Sequence, residues 1–459
     1  MNFRIVFLSF SIVSVSNSWA AAQGTLGPAW HAQSNQASSG FGFPVSTAGD
    51  VNGDGYDDVI VTAALFDRGQ TDQGRAFVYH GSKYGLGKLP AWTVQASTGI
   101  GNAAAAGDVN KDGYGDVLVG AGSNNGLFFA GKVLLYLGSA AGLAHQAAWS
   151  AEGNEPSESL GASLAAAGDV NGDGFDDVII GASFTDLHHT PQGEGAAFVY
   201  LGSAAGLSPS PVWSARGNQQ FSGFGSVSSA GDVNGDGYDD VVVGASLMNH
   251  GQRDEGRVFV YLGSAAGPST SPSWSAEGDQ ANALFGQSVS SASDVNGDGF
   301  DDLIVGVPGW VSGQFGLSED GRVSVYLGSA AGLSTSPAWT MIGAQRGGNF
   351  GAVVAGAGDL DGDGFDDVLI GAPSYDFGVR DEGVVFAFFG SALGLRTRTA
   401  WIVDSNQRNS QFGSSLASAG DVNGDGFDDV IIGAPEYDGA LVDEGFAFAY
   451  LGSSTRRLR

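Results

Sequence analysis

Seven short stretches of this chain place oxygen-bearing side chains at alternating positions, in the order Asp-x-Asn/Asp-x-Asp-Gly-x-x-Asp. The first supplies Asp50, Asn52, Asp54 and Asp58, and the second Asp108, Asn110, Asp112 and Asp116. Next come Asp169, Asn171, Asp173 and Asp177; Asp232, Asn234, Asp236 and Asp240; and Asp294, Asn296, Asp298 and Asp302. The last two are Asp359, Asp361, Asp363 and Asp367, and Asp421, Asn423, Asp425 and Asp429. A backbone carbonyl at the seventh position, on Tyr56, Tyr114, Phe175, Tyr238, Phe300, Phe365 and Phe427, completes each set. Hard divalent cations take several oxygens at about 2.3–2.6 Å, and a glycine at the sixth position, Gly55 in the first loop, lets the chain wrap around the ion. The chemistry predicted is calcium binding, at up to seven sites. Gly53 leaves the fourth position free of bulk, whereas the second loop carries Lys111 there and is expected to bind most weakly.

An EF-hand opens the same way but requires a bidentate Glu at the twelfth position and two flanking helices. Here the twelfth position is apolar, Val61 or Ile180 for example, and short β-branched runs follow the loops. The hairpin form closed by a ninth-position Asp is therefore preferred. Solvated Asp-Gly turns would not recur seven times in full, and they would not gather more than half of the 49 acidic residues.

The loops must be positioned by a repeating unit, because they recur at intervals of 58 to 65 residues along most of the chain. Each unit opens with small residues, such as Ala165-Ala166-Ala167-Gly168, that run into the acidic loop. An apolar run such as Val178-Ile179-Ile180 follows, then an aromatic run such as Val258-Phe259-Val260-Tyr261-Leu262, and finally a strand containing Trp92, Trp149, Trp213, Trp274, Trp339 or Trp401. Such runs bounded by glycine read as strands. Four antiparallel strands per unit is the size of a propeller blade. The small first strand suits the crowded axis of a ring. The last unit stops at Leu451-Gly452-Ser453 without a tryptophan strand, while an extra Trp30 strand precedes the first unit. The expectation is an all-β, seven-bladed β-propeller of four-stranded antiparallel blades, closed when the N-terminal strand joins the last blade and leaves no free edge.

Glycine is 76 of 459 residues, which argues against a long-helix protein, and a hydrophobic share of 42% supplies a sizeable core. A formal charge of -30 repels phosphate backbones and anionic lipid, so nucleic-acid and membrane-surface roles are excluded. With no cysteine, disulfides, thiolate metal sites and thiol nucleophiles fall away together. Arg4, the apolar run Ile5 to Val15 and the small residues of Ser18-Trp19-Ala20-Ala21-Ala22 read as a secretory signal peptide. The expected organisation is a signal peptide over 1–22, a propeller over 23–453 and a tail over 454–459, with no membrane span. The expected destination is secreted or extracellular, with the periplasm and the cell surface as other endpoints of export.

No nucleophile, base and orienting group assemble by sequence signature, so no catalytic residue and no enzyme activity are expected. None of His31, His80, His145, His188, His189 and His250 recurs with the repeat, and His188-His189 is read as a solvated loop pair. Trp310, in the longest connection, either stacks on a sugar or packs over a neighbouring blade. The terminal Arg456-Arg457-Leu458-Arg459 is read as a frayed tail.

These units resemble FG-GAP repeats of the integrin alpha-chain N-terminal β-propeller over about residues 24 to 453. The Phe-Gly pair stands here as Phe224-Gly225, Phe285-Gly286, Phe350-Gly351 and Phe412-Gly413, and the Gly-Ala-Pro as Gly371-Ala372-Pro373 and Gly433-Ala434-Pro435. The resemblance implies calcium in the loop between the first two strands of a blade. Integrin alpha chains carry such loops in only some blades, whereas all seven carry one here. Without leg domains, membrane span or cysteines, a heterodimeric receptor role is not implied, and there is no Arg-Gly-Asp motif. The function expected is a calcium-stabilised binding or adhesion module for an extracellular protein or glycan, recognised by the loops opposite the calcium rim. The alternatives are a calcium-dependent polysaccharide-active enzyme of propeller type and a structural matrix or surface component.

Overall fold

The computed structural model describes residues 27–67, 69, 71–95, 99–122, 131–153, 159–183, 193–313 and 320–454. The segments read as a signal peptide, as the His188-His189 pair and as the basic tail lie outside the described residues.

Seven four-stranded antiparallel sheets form the seven-bladed propeller that the repeat predicts, with no helix among the described residues. Blade one runs through strands Phe41–Gly49, Asp58–Ala63, Arg75–Tyr79 and Trp92–Val94, and blade four through Phe224–Gly231, Asp240–Ala245, Arg257–Tyr261 and Trp274–Glu277. Every second strand, from Asp58–Ala63 to Asp429–Ala434, is buried along its whole length, as its short apolar run, rich in Val and Ile, requires. The inner strands alternate small residues around the axis, for instance Ser-Leu-Ala-Ala-Ala-Gly in Ser163–Gly168.

Closure occurs as expected. Trp30–Gln33 pairs antiparallel with Phe446–Tyr450, in the register Trp30↔Ala449 to Gln33↔Phe446, and becomes the outer strand of blade seven. The wheel therefore has no free sheet edge at its seam.

Between blades the core is aromatic. Phe41 and Phe224 at the start of their inner strands, and Phe285, Phe350 and Phe412 just before theirs, are fully buried, each contributing about 1.5–3 kcal/mol of burial. Ile100 and Leu160 take that place in blades two and three. On the outer side, six tryptophans, Trp30, Trp92, Trp149, Trp213, Trp274 and Trp339, each meet a ring on the third strand of the next blade edge-on, as Trp213 does Tyr261 at 4.8 Å and Trp339 does Phe388 at 5.0 Å. Trp213 Nε1 also donates to the Ser269 carbonyl at 2.8 Å.

Trp310 is half-buried and packs against the core cluster shared by blades four and five, with the Arg322 guanidinium 3.8 Å from its ring. Packing, not an open sugar platform, is its role. In the third strand of this blade Ser324 holds the position at which other blades carry Phe77, Phe259, Phe386 or Phe448.

Candidate metal-binding loops

A register shift ends each inner strand one residue before the acidic loop, as between Ser229 and Gly231. The bulged residue is left-handed: Gly231 has φ +71, and in blade five Ser293 takes φ +54. Such a bulge bends the chain out of the sheet and starts the turn.

Within the loop, the first aspartate organises the backbone. Asp232 Oδ1 accepts the N–H of Gly235 and Asp236 at 2.7 and 3.1 Å, and its Oδ2 accepts that of Gly237 at 2.7 Å. Asp50, Asp169 and Asp294 do the same in their loops, as do Asp359 and Asp421. In the second loop Asp108 holds only the fifth and sixth N–H groups, because the N–H of Lys111 turns to the Asp108 carbonyl at 3.3 Å.

The third and fifth positions also point into their loops. Asn234 Oδ1 accepts the N–H of Asp236 at 2.9 Å, and Asp236 Oδ1 that of Tyr238 at 3.1 Å. Asn52 and Asp54, Asn110 and Asp112, Asn171 and Asp173, and Asn296 and Asp298 repeat this pair. In loop six, ligand oxygens of Asp359, Asp361 and Asp363 lie within 4.8 Å of one another, with Asp361 buried, and Arg396 Nη2 reaches Asp363 Oδ2 at 2.9 Å.

The ninth aspartates, Asp58, Asp116, Asp177, Asp240, Asp302, Asp367 and Asp429, are fully buried. Each accepts two backbone N–H groups: Asp240 takes those of Val233 at 3.1 Å and Gly263 at 2.7 Å. Burial pushes Asp58, Asp116, Asp177, Asp240 and Asp302 up to about 7, against the pull of those hydrogen bonds. Asp367 and Asp429 are pushed up to about 8 for the same reason. Nearby carboxylates of the same loop add to the rise. A buried carboxylate flanked by like charges is the environment that a divalent cation relieves.

Two features escape a reading of the loop alone. The eighth residue, an aspartate in six loops, reaches across to the preceding blade. Asp57, Asp176, Asp239, Asp301, Asp366 and Asp428 accept the N–H of Asp421, Asp108, Asp169, Asp232, Asp294 and Asp359 at 2.7–3.1 Å. The Asp-Asp doublet was the visible signal. Blade two has Gly115 instead.

The second concerns the fourth-position glycine, which the sequence suggests keeps bulk away from an ion. A Cβ on Gly235 would lie 2.6 Å from the ring of Phe300 in the next blade, and one on Gly53 would lie 2.5 Å from Tyr114. The seventh-position side chain therefore packs over the preceding loop. Lys111, at φ +57, meets this ring differently, with Nζ 5.7 Å from the centroid of Phe175.

On the opposite rim a separate set of carboxylates shapes the loops between second and third strands. Glu382, almost fully buried, accepts the N–H of Phe377 at 2.6 Å and of Val379 at 3.1 Å, and Glu255 accepts that of Gln252 at 3.1 Å. These glutamates are loop staples.

Comparison with known proteins places these features. The profile of the FG-GAP repeat matches residues 43–79, 100–136, 160–200, 224–261, 285–326, 350–388 and 412–450, one match per blade. The chain is 33% identical to integrin alpha-5 of Xenopus laevis over 237 residues, covering 50% of this chain and 22% of that one. It is 39% identical to integrin alpha-IIb of Homo sapiens over 161 residues (34% and 15%), and 35% identical to integrin alpha-V of Gallus gallus over 219 residues (46% and 20%). The chain thus spans about a fifth of the length of these relatives. A solved structure titled as the exotype rhamnogalacturonan lyase YesX overlays 90% of this chain and 72% of its own with a TM-score of 0.45 at 13% identity, too slight a likeness to bear on activity. One profile match in each of seven blades leaves a single assignment: the chain belongs to the FG-GAP repeat family.

Proposed function

We propose that this is an exported, calcium-stabilised propeller that acts as an extracellular binding or adhesion module. The observation that carries the reading is the sevenfold recurrence of a loop whose short oxygen-bearing side chains lead into a fully buried aspartate, with the carboxylates of Asp359, Asp361 and Asp363 gathered within 4.8 Å in loop six. That donor set fits a hard cation. Positions one, three, five and nine, with the seventh carbonyl, would hold it in each loop, and it would supply positive charge to a carboxylate cluster that otherwise repels itself. Asp, Asn and backbone donors without sulfur or histidine at these positions favour calcium over softer metals. The role is structural, because the loops join the two innermost strands of each blade.

The ligand of the module is an extracellular protein or a glycan, and its contact surface is the rim opposite the acidic loops. Leu65, Phe221, Leu247, Val379, Leu441 and Val442 are exposed on that rim and available for apolar contact with a partner. The integrin relatives lend weight to a protein ligand. Calcium counting by mass spectrometry, with melting curves before and after chelation, tests the first part: seven ions or nearly so and a lowered melting temperature support it, and an unchanged melt sinks it. Arrays of extracellular proteins and glycans, probed with wild type and with Phe221→Ser, test the second. Loss of a ligand in the variant supports the opposite rim, and undiminished binding rejects it.

A further inference from the structure

Five of the seven loops place an asparagine directly before a glycine: Asn52-Gly53, Asn171-Gly172, Asn234-Gly235, Asn296-Gly297 and Asn423-Gly424. In this dipeptide no side chain hinders attack of the following backbone nitrogen on the asparagine amide carbon. All five glycines are exposed, so water reaches them freely. Unrestrained, each step would close to a succinimide.

The loop restrains both reacting groups. The glycine N–H donates to Oδ1 of the first aspartate at 2.7 Å in all five loops, which fixes the peptide plane of the nitrogen that would have to turn and attack. In four of them the asparagine Oδ1 is itself held by the N–H of the fifth residue at 2.9 Å. Loop seven differs. Asn423 turns its Nδ2 toward Asp429 Oδ2 at 3.5 Å, and the N–H of Asp425 keeps only the bond to the first aspartate, Asp421 at 3.1 Å, that all five loops share.

We propose that these five Asn-Gly steps are masked deamidation sites, that the first aspartate of each loop masks its own step, and that Asn423 is the least protected. In the reaction the glycine nitrogen bonds to the asparagine Cγ, the Cγ–Nδ2 bond breaks, and ammonia leaves with the backbone proton. Water then opens the succinimide to aspartate or to isoaspartate. The aspartate product carries the acidic residue that Asp361 already supplies in loop six. Isoaspartate lengthens the main chain by one carbon and spoils the turn. Conversion therefore alters loop charge without any redox partner. Asn110, which precedes Lys111, is the internal control for the missing glycine.

The test follows each asparagine by peptide mass mapping as the protein ages in warm, mildly alkaline, cation-free buffer, folded and in urea. The folded chain is expected to convert at least about tenfold more slowly at the five sites, a difference of about 1.4 kcal/mol in barrier, with Asn423 first. Equal rates in the two states overturn the proposal. In Asp232→Ala the expected result is about tenfold faster conversion of Asn234, with Asn171 and Asn296 of the same molecules unchanged. An unchanged Asn234 in the folded variant overturns the masking role. Should that variant not fold, the wild-type order decides: Asn423 ahead of the other four supports the proposal, and Asn423 slowest of the five rejects it.

Discussion

Asp57 Oδ2 accepts the backbone N–H of Asp421 at 2.9 Å, although 364 positions separate the two residues in the chain. The bond joins blade one to blade seven at the acidic rim and belongs to a set of six such clasps. At the junction of blades one and two, Gly115 supplies no carboxylate, and backbone bonds remain, from its own N–H to the Asp50 carbonyl at 2.8 Å and from the Ser139 N–H to the Val51 carbonyl at 3.1 Å. Blade assembly thus rests on a carboxylate that lies just outside the proposed cation set.

Asp239→Ala is expected to destabilise the chain by about 1–2 kcal/mol, because the N–H of Asp169 loses a carboxylate acceptor at 2.8 Å in a half-buried site. Urea unfolding monitored by tryptophan fluorescence measures it. A midpoint equal to wild type would remove the clasp from the stability argument.

Adding calcium to chelated protein is expected to raise stability by about 1.4 kcal/mol per site once free ion reaches ten times the dissociation constant. Isothermal titration should resolve the second loop as the weakest, since Asp108 has lost the N–H of the fourth residue and Lys111 brings a positive charge to the loop. Equal affinity in Lys111→Gly and wild type would contradict that ranking.

The pH dependence has a definite sign. Burial pushes the ninth aspartates up to about 7 or about 8 in the folded chain, against about 3.9 when unfolded, so the folded chain is expected to hold more protons between these values. Stability without cations must therefore fall as pH rises through that window and level off above about 8. Melting temperatures should be higher at pH 5 than at pH 8 in chelator, and the order should reverse in saturating calcium, which requires the ionised carboxylates. A cation-free melt that rises with pH would show that these carboxyls are not raised.

Gly235→Ala should cost about 1–3 kcal/mol, from a Cβ 2.6 Å from the Phe300 ring together with φ +71. The same exchange at Gly237, where φ is +87 and nothing lies within 4 Å, carries only the conformational part. Thermal melts of the pair separate ring contact from backbone strain, and equal losses would discard the ring contact.

Trp213→Phe loses the Nε1 bond to Ser269 as well as ring area, whereas Trp339 Nε1 meets no acceptor among the described residues. The loss at 213 is expected to exceed that at 339 by about 1 kcal/mol, read from paired denaturation curves. A larger loss at 339 would refute the bond's contribution.

Much of this molecule is readable along the chain. The apolar runs, the small inner strands and the spare Trp30 strand foretold blade count, strand order and ring closure, because each of those is set within a single repeat or by a simple surplus. What stayed hidden lies between repeats. The partners of Asp57 and Gly53 sit on neighbouring blades, and no local pattern distinguishes the eighth aspartate from the ninth. The reason for a glycine at position four could not emerge until Tyr114 and Phe300 were placed over it. Glu382 was missed because its partners are backbone N–H groups, which every sequence offers everywhere.

The joint formed by Trp30–Gln33 and Phe446–Tyr450 also sets how the wheel responds to force. Trp30 faces Ala449, so the chain enters the outer strand and leaves the last strand at the same corner of blade seven. Tension applied through both ends peels this ladder one pair at a time, where a load along opposed strands would have to shear all four pairs at once. Tethered between two anchors, the hoop would give way first at its own buckle.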